Sequence, residues 1–115
     1  MNRRRSYRHD FAVLHPYEPR LLALRRGDRA ILPRYHSAEW AGTDELLAAL
    51  RTQGVGAAML RPACRWNRDD EATMLYVLEA PSSALPARAR WFDLGALRAG
   101  AVSYSEPGAL ETVLR

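Results

Sequence analysis

The segment running from Thr43 to Gly54 constrains the rest of the chain, because it carries a clear helical pattern between apolar runs too short to be anything but strands. Leu46, Leu47 and Leu50 recur at helical spacing, and Asp44 and Glu45 fall in the first turn, where carboxylates suit the helix dipole. Thr43 is a favourable N-cap and Gly54 a favourable left-handed stop, so a helix is predicted over residues 44–53. Ahead of it, residues 11–14 form an apolar run ended by His15-Pro16, where the residue before proline is pushed to extended geometry. Residues 20–24 and 30–32 flank a turn at Gly27, which predicts a hairpin, and Pro33 opens a polar loop over residues 34–42. Behind the helix, residues 55–60 and 72–78 read as strands, with a polar turn at 67–71 between them. Residues 89–92 form a short strand feeding a helical turn at 93–97. Ser105 is a candidate cap for a last helix with Leu110, Val113 and Leu114 on its apolar face. The order predicts an α+β fold, a mixed β-sheet with flanking helices.

At 115 residues the chain is long enough for one core and one domain. Its apolar stretches fall far short of the ~20 residues of a membrane span. No apolar run follows the basic amino terminus, so a secretory signal is absent, no membrane partner is expected and a cytoplasmic location is the default. A single cysteine, Cys64, excludes an intrachain disulfide framework. All 17 basic residues are arginine, and their placement is uneven. Residues 1–34 hold nine arginines against Asp10, Glu18 and Asp28, whereas residues 35–115 hold eight against ten carboxylates. Residues 1–9, with Arg3, Arg4, Arg5 and Arg8, are read as a flexible basic arm that either stays solvated or touches nucleic acid or an acidic partner.

Four segments give the chain a family likeness: Arg20-Leu-Leu-Ala-Leu-Arg-Arg26 before a turn, Ile31-Leu32-Pro33, the helix ending in Gly54-Val55, and Ala89-Arg-Trp-Phe-Asp-Leu94. In that order and spacing the chain resembles the Nudix family of nucleoside-diphosphate-derivative hydrolases. The resemblance implies an α/β/α sandwich over residues 10–115, with the substrate cleft bordered by the segment after Pro33. It also extends to the Nudix-like segment preceding an aminoglycoside-phosphotransferase-like kinase in some larger bacterial proteins. This implies a kinase-like domain in the same or another chain as a partner, and the family likeness is compatible with a dimer.

The family's catalytic signature runs from a glycine through a glutamate, an Arg-Glu pair and two adjacent glutamates to a glycine with an apolar residue. Anchored on Gly54-Val55, it places the adjacent glutamates on Arg51 and Thr52, the Arg-Glu pair on Leu47-Ala48 and the opening glycine on Pro33; Glu39 alone matches. Positions 48, 51 and 52 share one helix face. In an active family member that face holds magnesium through carboxylates. Here it carries Ala48, Arg51 and Thr52, so no metal or other cofactor is expected. The reading is a pseudoenzyme: a non-hydrolytic ligand-binding or regulatory module for an anionic small molecule or nucleotide, its cleft bordered by Arg34, Tyr35, Glu39, Trp40 and Arg51. Arg51 would pair with Glu39 and offer its fork to the ligand. One alternative is a divergent pyrophosphohydrolase using Glu39 with Asp69, Asp70 or Glu71. Another is a nucleic-acid or acidic-partner adaptor led by the arm.

Other chemistry finds little footing. Cys64, His9, His15 and His36 lack zinc-ligand spacing, no Gly-x-Ser-x-Gly elbow is present, and Gly54-Val-Gly56 follows a helix instead of opening one. Cys64 is read as a structural thiol. Tyr76 and Trp91 lie in apolar runs and are expected in the core, whereas Tyr35 and Trp40 lie in polar surroundings where one of them could stack on a flat ligand.

Overall fold

The computed structural model describes residues 6–114, except for the side chains of residues 59–61, 64, 97–99, 107 and 113. Seven strands form one mixed sheet: β1 (Ser6–Leu14), β2 (Arg20–Arg26), β3 (Arg29–Ile31), β4 (Arg34–Ser37), β5 (Ala58–Arg68), β6 (Glu71–Glu79) and β7 (Ala89–Asp93). Helix α1 (Thr43–Thr52) follows β4. A 3-10 turn (Leu94–Ala99) and helix α2 (Pro107–Val113) end the chain. The path β3-β2-β1-β6-β5 has β1 and β6 parallel along their full length, from Ser6 opposite Glu71 to Leu14 opposite Glu79. The sheet forks at β1. Its first half pairs antiparallel with β4, Tyr7 opposite Ser37 through Asp10 opposite Arg34, whereas β2 joins only at Leu14 opposite Leu21.

Alternation along β1 sends Phe11 and Val13 to one face and Ala12 to the other, and the central strands are buried on both. On the first face Leu46 and Leu50 of α1 close over Phe11, Val13, Leu22, Met74, Tyr76 and Leu78. On the second, Val102 and Leu110 close over Ala12, Leu21, Ala23, Leu32 and Leu75. The mixed sheet with helices on both faces is therefore the expected sandwich.

The structure corrects several local expectations. Residues 6–9, assigned to the arm, belong to β1. His9 is fully buried, and Arg8 is bound to Asp10 at 2.8 Å. Residues 1–5 lie outside the described part, and with them Arg3, Arg4 and Arg5. Residues 34–37, expected as loop, are β4: four residues of alternating orientation suffice once the edge of β1 offers hydrogen bonds. Thr43 does not cap α1; Gly42 occupies that place with no side-chain hydrogen bond. Ser105 does not cap α2 either, its hydroxyl accepting from Arg8 instead. Gly54 does stop α1, at φ +81°, and a Cβ there would stand 2.8 Å from Cβ of Pro86. Strand β5 runs through Pro62 to Arg68, because two register shifts absorb the proline. The β5–β6 turn uses Asp69 at φ +53°, a conformation Asp tolerates better than most residues.

Candidate functional site

Adjacent positions on β1 build two different constellations, because His9 and Asp10 point to opposite faces. Asp10 is fully buried, and three donors converge on it. Its Oδ1 accepts from Nε of Arg34 at 2.8 Å; its Oδ2 accepts from Nη2 of Arg8 and from the hydroxyl of Tyr104, each at 2.8 Å. Arg8 Nε lies 3.0 Å from the same oxygen, Nη2 of Arg8 also donates to Oγ of Ser105 at 2.8 Å, and the guanidinium stands 5.8 Å over the Tyr104 ring. Burial, followed by the nearby Asp10 charge and hydrogen bond, pushes the Tyr104 phenol well above its ordinary value and keeps it a donor. Two guanidiniums on one carboxylate leave a net positive charge, and Arg34 spends only its Nε there.

On the other face His9 is the centre of an aromatic cluster. Its ring stacks between Tyr35 and Tyr76, with centroids at 6.0 and 5.8 Å, and meets the edge of Trp40 at 6.2 Å; Trp40 in turn meets Tyr7 at 5.7 Å. Nδ1 of His9 is 3.0 Å from the Tyr76 hydroxyl and Nε2 is 3.1 Å from Oγ of Ser37, so a neutral ring has both nitrogens satisfied. Burial pulls the pKa of His9 below its ordinary value, against the weaker opposing pull of Glu45 and Asp10. A depressed histidine pKa stabilises the fold fully above the unfolded value near 6.5 and loses that contribution as pH falls through the lower folded value. Melts should therefore show stability dropping below about pH 6.5, and His9→Phe should flatten that limb; an unchanged limb would assign it to other groups.

The five residues assigned to a ligand cleft do not form one group. Tyr35 and Trp40 join the aromatic cluster, where the Tyr35 hydroxyl donates to Oε2 of Glu45 at 2.6 Å and Trp40 remains 55% exposed. That hydrogen bond raises the Tyr35 phenol pKa. Glu39 precedes α1, whereas Arg51 sits in its last turn, roughly 12 Å further along the helix axis from its start. No ion pair joins them among the described residues. Trp91, expected in the core, is only half-buried, donating from its indole to the carbonyl of Ser83 at 2.9 Å and meeting His15 edge-on at 4.8 Å. Among the described residues its strand pairs with β2.

Arg34 does border a hollow, of about 360 Å³, lying in the fork between β3 and β4 at the C-terminal end of α1. Leu24, Ile31 and Leu32 form its apolar part; Arg25, Arg26, Arg34, Arg88 and Gln53 form the rest. Among the described residues no carboxylate lines it. Gln53 is fixed by donating to the carbonyls of Arg34 and Ala49, each at 3.2 Å, which ties the end of α1 to β4. Arg25, Arg26 and Arg88 escaped the sequence reading, since only the β2–β7 pairing brings residues 25 and 88 side by side. Asp10 had left one legible signal, a carboxylate directly ahead of the apolar run 11–14.

The helix face matched to the magnesium-binding positions carries exposed Ala48, Arg51 and Thr52, and Oγ1 of Thr52 donates to the carbonyl of Ala48. One cation and no carboxylate do not fit a hard divalent ion. Among the described residues no three His, Cys, Asp or Glu side chains gather as a metal site. His9 is taken by Tyr76 and Ser37, Nδ1 of His15 accepts backbone N–H groups of Tyr17 and Glu18, and His36 lies 3.8 Å from Glu71. Among the described residues no helix is long and apolar enough to cross a membrane.

No family model and no curated protein matches the sequence. Solved structures do match in fold. A Nudix-family hydrolase from Clostridium perfringens superposes with a TM-score of 0.69 at 10% identity, covering 99% of this chain and 97% of that one. The C-terminal domain of mouse MUTYH, crystallised with human PCNA, gives 0.65 at 21% identity over 97% of this chain and 86% of that one. A Sinorhizobium meliloti protein with a provisional oxidoreductase assignment gives 0.75 at 15% identity; 95% of this chain matches, spanning 38% of that chain. The fold is the Nudix fold.

Proposed function

We propose that this domain is a metal-independent binding module that takes a small phosphate-bearing anion, such as a nucleotide or sugar phosphate, in the hollow between β3, β4 and the end of α1. One observation carries the reading. Four arginines and a glutamine line that hollow with no carboxylate, while the helix face matched to the metal positions offers a guanidinium in place of acids. Guanidinium forks match phosphate oxygens bidentately, so they supply the countercharge that a magnesium ion supplies in a Nudix hydrolase. Arg34 is held in place through its Nε by buried Asp10, leaving its outer amines for a ligand. The apolar floor of Leu24, Ile31 and Leu32 suits a ligand body beyond the phosphate.

Calorimetry with nucleotides and sugar phosphates, with and without chelator, tests it. Binding should persist without magnesium, and Arg26→Gln or Arg88→Gln should each weaken it by the ~1.5 to 3 kcal/mol of a charge-assisted hydrogen bond. Arg51→Ala, outside the lining of the hollow, separates this placement from one centred on the helix face. Turnover that requires magnesium would overturn the proposal in favour of a divergent hydrolase.

A further inference from the structure

Strand pairing at the far end of the sheet sets like charges against each other. Arg26 faces Arg29 across the β2–β3 hairpin, Ala23 faces Arg90 across β2–β7, and two rows on the backbone N–H of Arg25 donates to the carbonyl of Arg88 at 2.7 Å. All five arginines are exposed, and none makes an ion pair with a described carboxylate. Like charges directly opposite on a sheet are destabilising, and here the pair Arg26 and Arg29 flanks a tight turn at Gly27, where φ is +62°. Two further hollows, of about 270 and 430 Å³, continue from the one described above. The first is lined by Ala23, Arg25, Arg29, Arg90 and Phe92 with Asp28 as its single acid, the second by Arg25, Arg88 and Arg90 with Gly27. Arg25 borders all three hollows, so the charge forms one continuous surface wrapping both sides of the hairpin.

We infer that this hairpin tip, with the start of β7, is a docking surface for the phosphate backbone of a nucleic acid. Successive rows of a strand lie ~3.4 Å apart and neighbouring strands ~4.8 Å apart. Side chains on one face of a strand recur every second row, at ~6.8 Å, and a nucleic-acid strand in a duplex offers one phosphate per ~3.4 Å of axis, so each arginine on a face can meet every second phosphate. Five charges over three hollows exceed what a single small phosphate neutralises. The chemistry also separates nucleic acid from an acidic protein. A protein interface needs an apolar or aromatic centre, and the large exposed hydrophobic residues, Tyr17, Trp40 and Leu85, line none of these hollows. Phe92 alone is aromatic there, and it is half-buried. The surface accordingly grips backbone without reading bases. It shares Arg25, Arg26 and Arg88 with the small-anion hollow but stands without that reading, because Arg29 and Arg90 line only the outer hollows.

The test is anisotropy of a fluorescent mixed-sequence oligonucleotide against the full chain over a range of salt concentrations. Affinity should fall steeply with salt and be indifferent to base sequence. The double variant Arg29→Gln/Arg90→Gln should reduce the slope of log K against log salt by about 1.4 to 1.8, at roughly 0.7 to 0.9 for each charge. Its melting temperature should not drop, since the arginines repel each other, and its binding of small phosphates in the inner hollow should be retained. An unchanged slope in that variant, with loss of binding on changing Arg3, Arg4 and Arg5 to Gln, would overturn the assignment and move the contact to the amino terminus. Tighter binding of polyglutamate than of the oligonucleotide would overturn it in favour of an acidic protein, and oligonucleotide affinity insensitive to salt would overturn it outright.

Discussion

Asp10→Ala should destabilise the domain by about 3 to 5 kcal/mol, the cost of removing one partner from a buried ion pair. The carboxylate accepts from Arg8, Arg34 and Tyr104 at once, so its loss strands two guanidiniums and a phenol whose nearest acceptor is gone. Water rescues them only in part, for Asp10 is fully buried and Arg8 is 13% exposed, whereas Arg34 is 35% exposed. The same change unties distant segments. Tyr104 and Ser105 hydrogen-bond to β1 in this cluster, 94 and 97 residues along the chain from their partners. Denaturant melts of Asp10→Ala and Asp10→Asn check the claim. Asn retains the shape and one acceptor but no charge, and it should fall between wild type and Ala; equal stability of all three proteins would refute the role given to the buried charge. The same network makes Arg8 a structural residue, so truncation through residue 8 should destabilise the domain as well.

The layout of the fold was legible in the sequence where a single physical rule dominates. Helix α1 follows from the spacing of Leu46, Leu47 and Leu50 and the stop at Gly54, and β6 follows from an apolar run bounded by polar turns. Strand β4 was hidden, because Arg34-Tyr-His-Ser37 is polar throughout and pairs for the hydrogen-bonding edge of β1, a partner 24 residues away at Asp10. Thr43 and Ser105 were plausible caps on type alone, yet local geometry gave neither a cap bond.

The candidate site divides in the same way. That the helix face lacks carboxylates is a property of sequence, visible without coordinates. That Arg34 rather than Arg51 borders the hollow depends on the fork in the sheet, and the company of Arg26 and Arg88 depends on the register of β7 against β2. Tyr35 looked like a free aromatic in a loop; its cross-strand place opposite His9 and its bond to Glu45 give it a structural role instead. Trp40 keeps the exposure its polar neighbours implied.

Leu50→Ala tests how far that hollow depends on the core. Helix α1 has ten residues, below the ~12 to 15 at which an isolated helix becomes even marginal in water, so its form depends on what it buries. Only Leu46 and Leu50 of the helix are fully withdrawn from solvent, and Leu50 is 0% exposed against Phe11, Tyr76 and Leu78 among others in that cluster. Truncating it should cost about 2 to 5 kcal/mol, the range for removing a buried leucine side chain, including the cavity left behind. Trp91→Ala should cost less than its size suggests, because Trp91 is half-buried at the margin of the same cluster. The effect of Leu50 should also reach the anion site. Leu50 accepts backbone N–H bonds from Gln53 and Val55, and Gln53 in turn holds β4 through the carbonyl of Arg34. A loosened last turn therefore frees one wall of the hollow, and phosphate binding should weaken even at temperatures where the variant remains folded. Denaturant melts paired with calorimetry separate the two effects. Lost stability with unaltered binding would show that the hollow is organised by the β2–β3 hairpin and β4 alone, without help from α1.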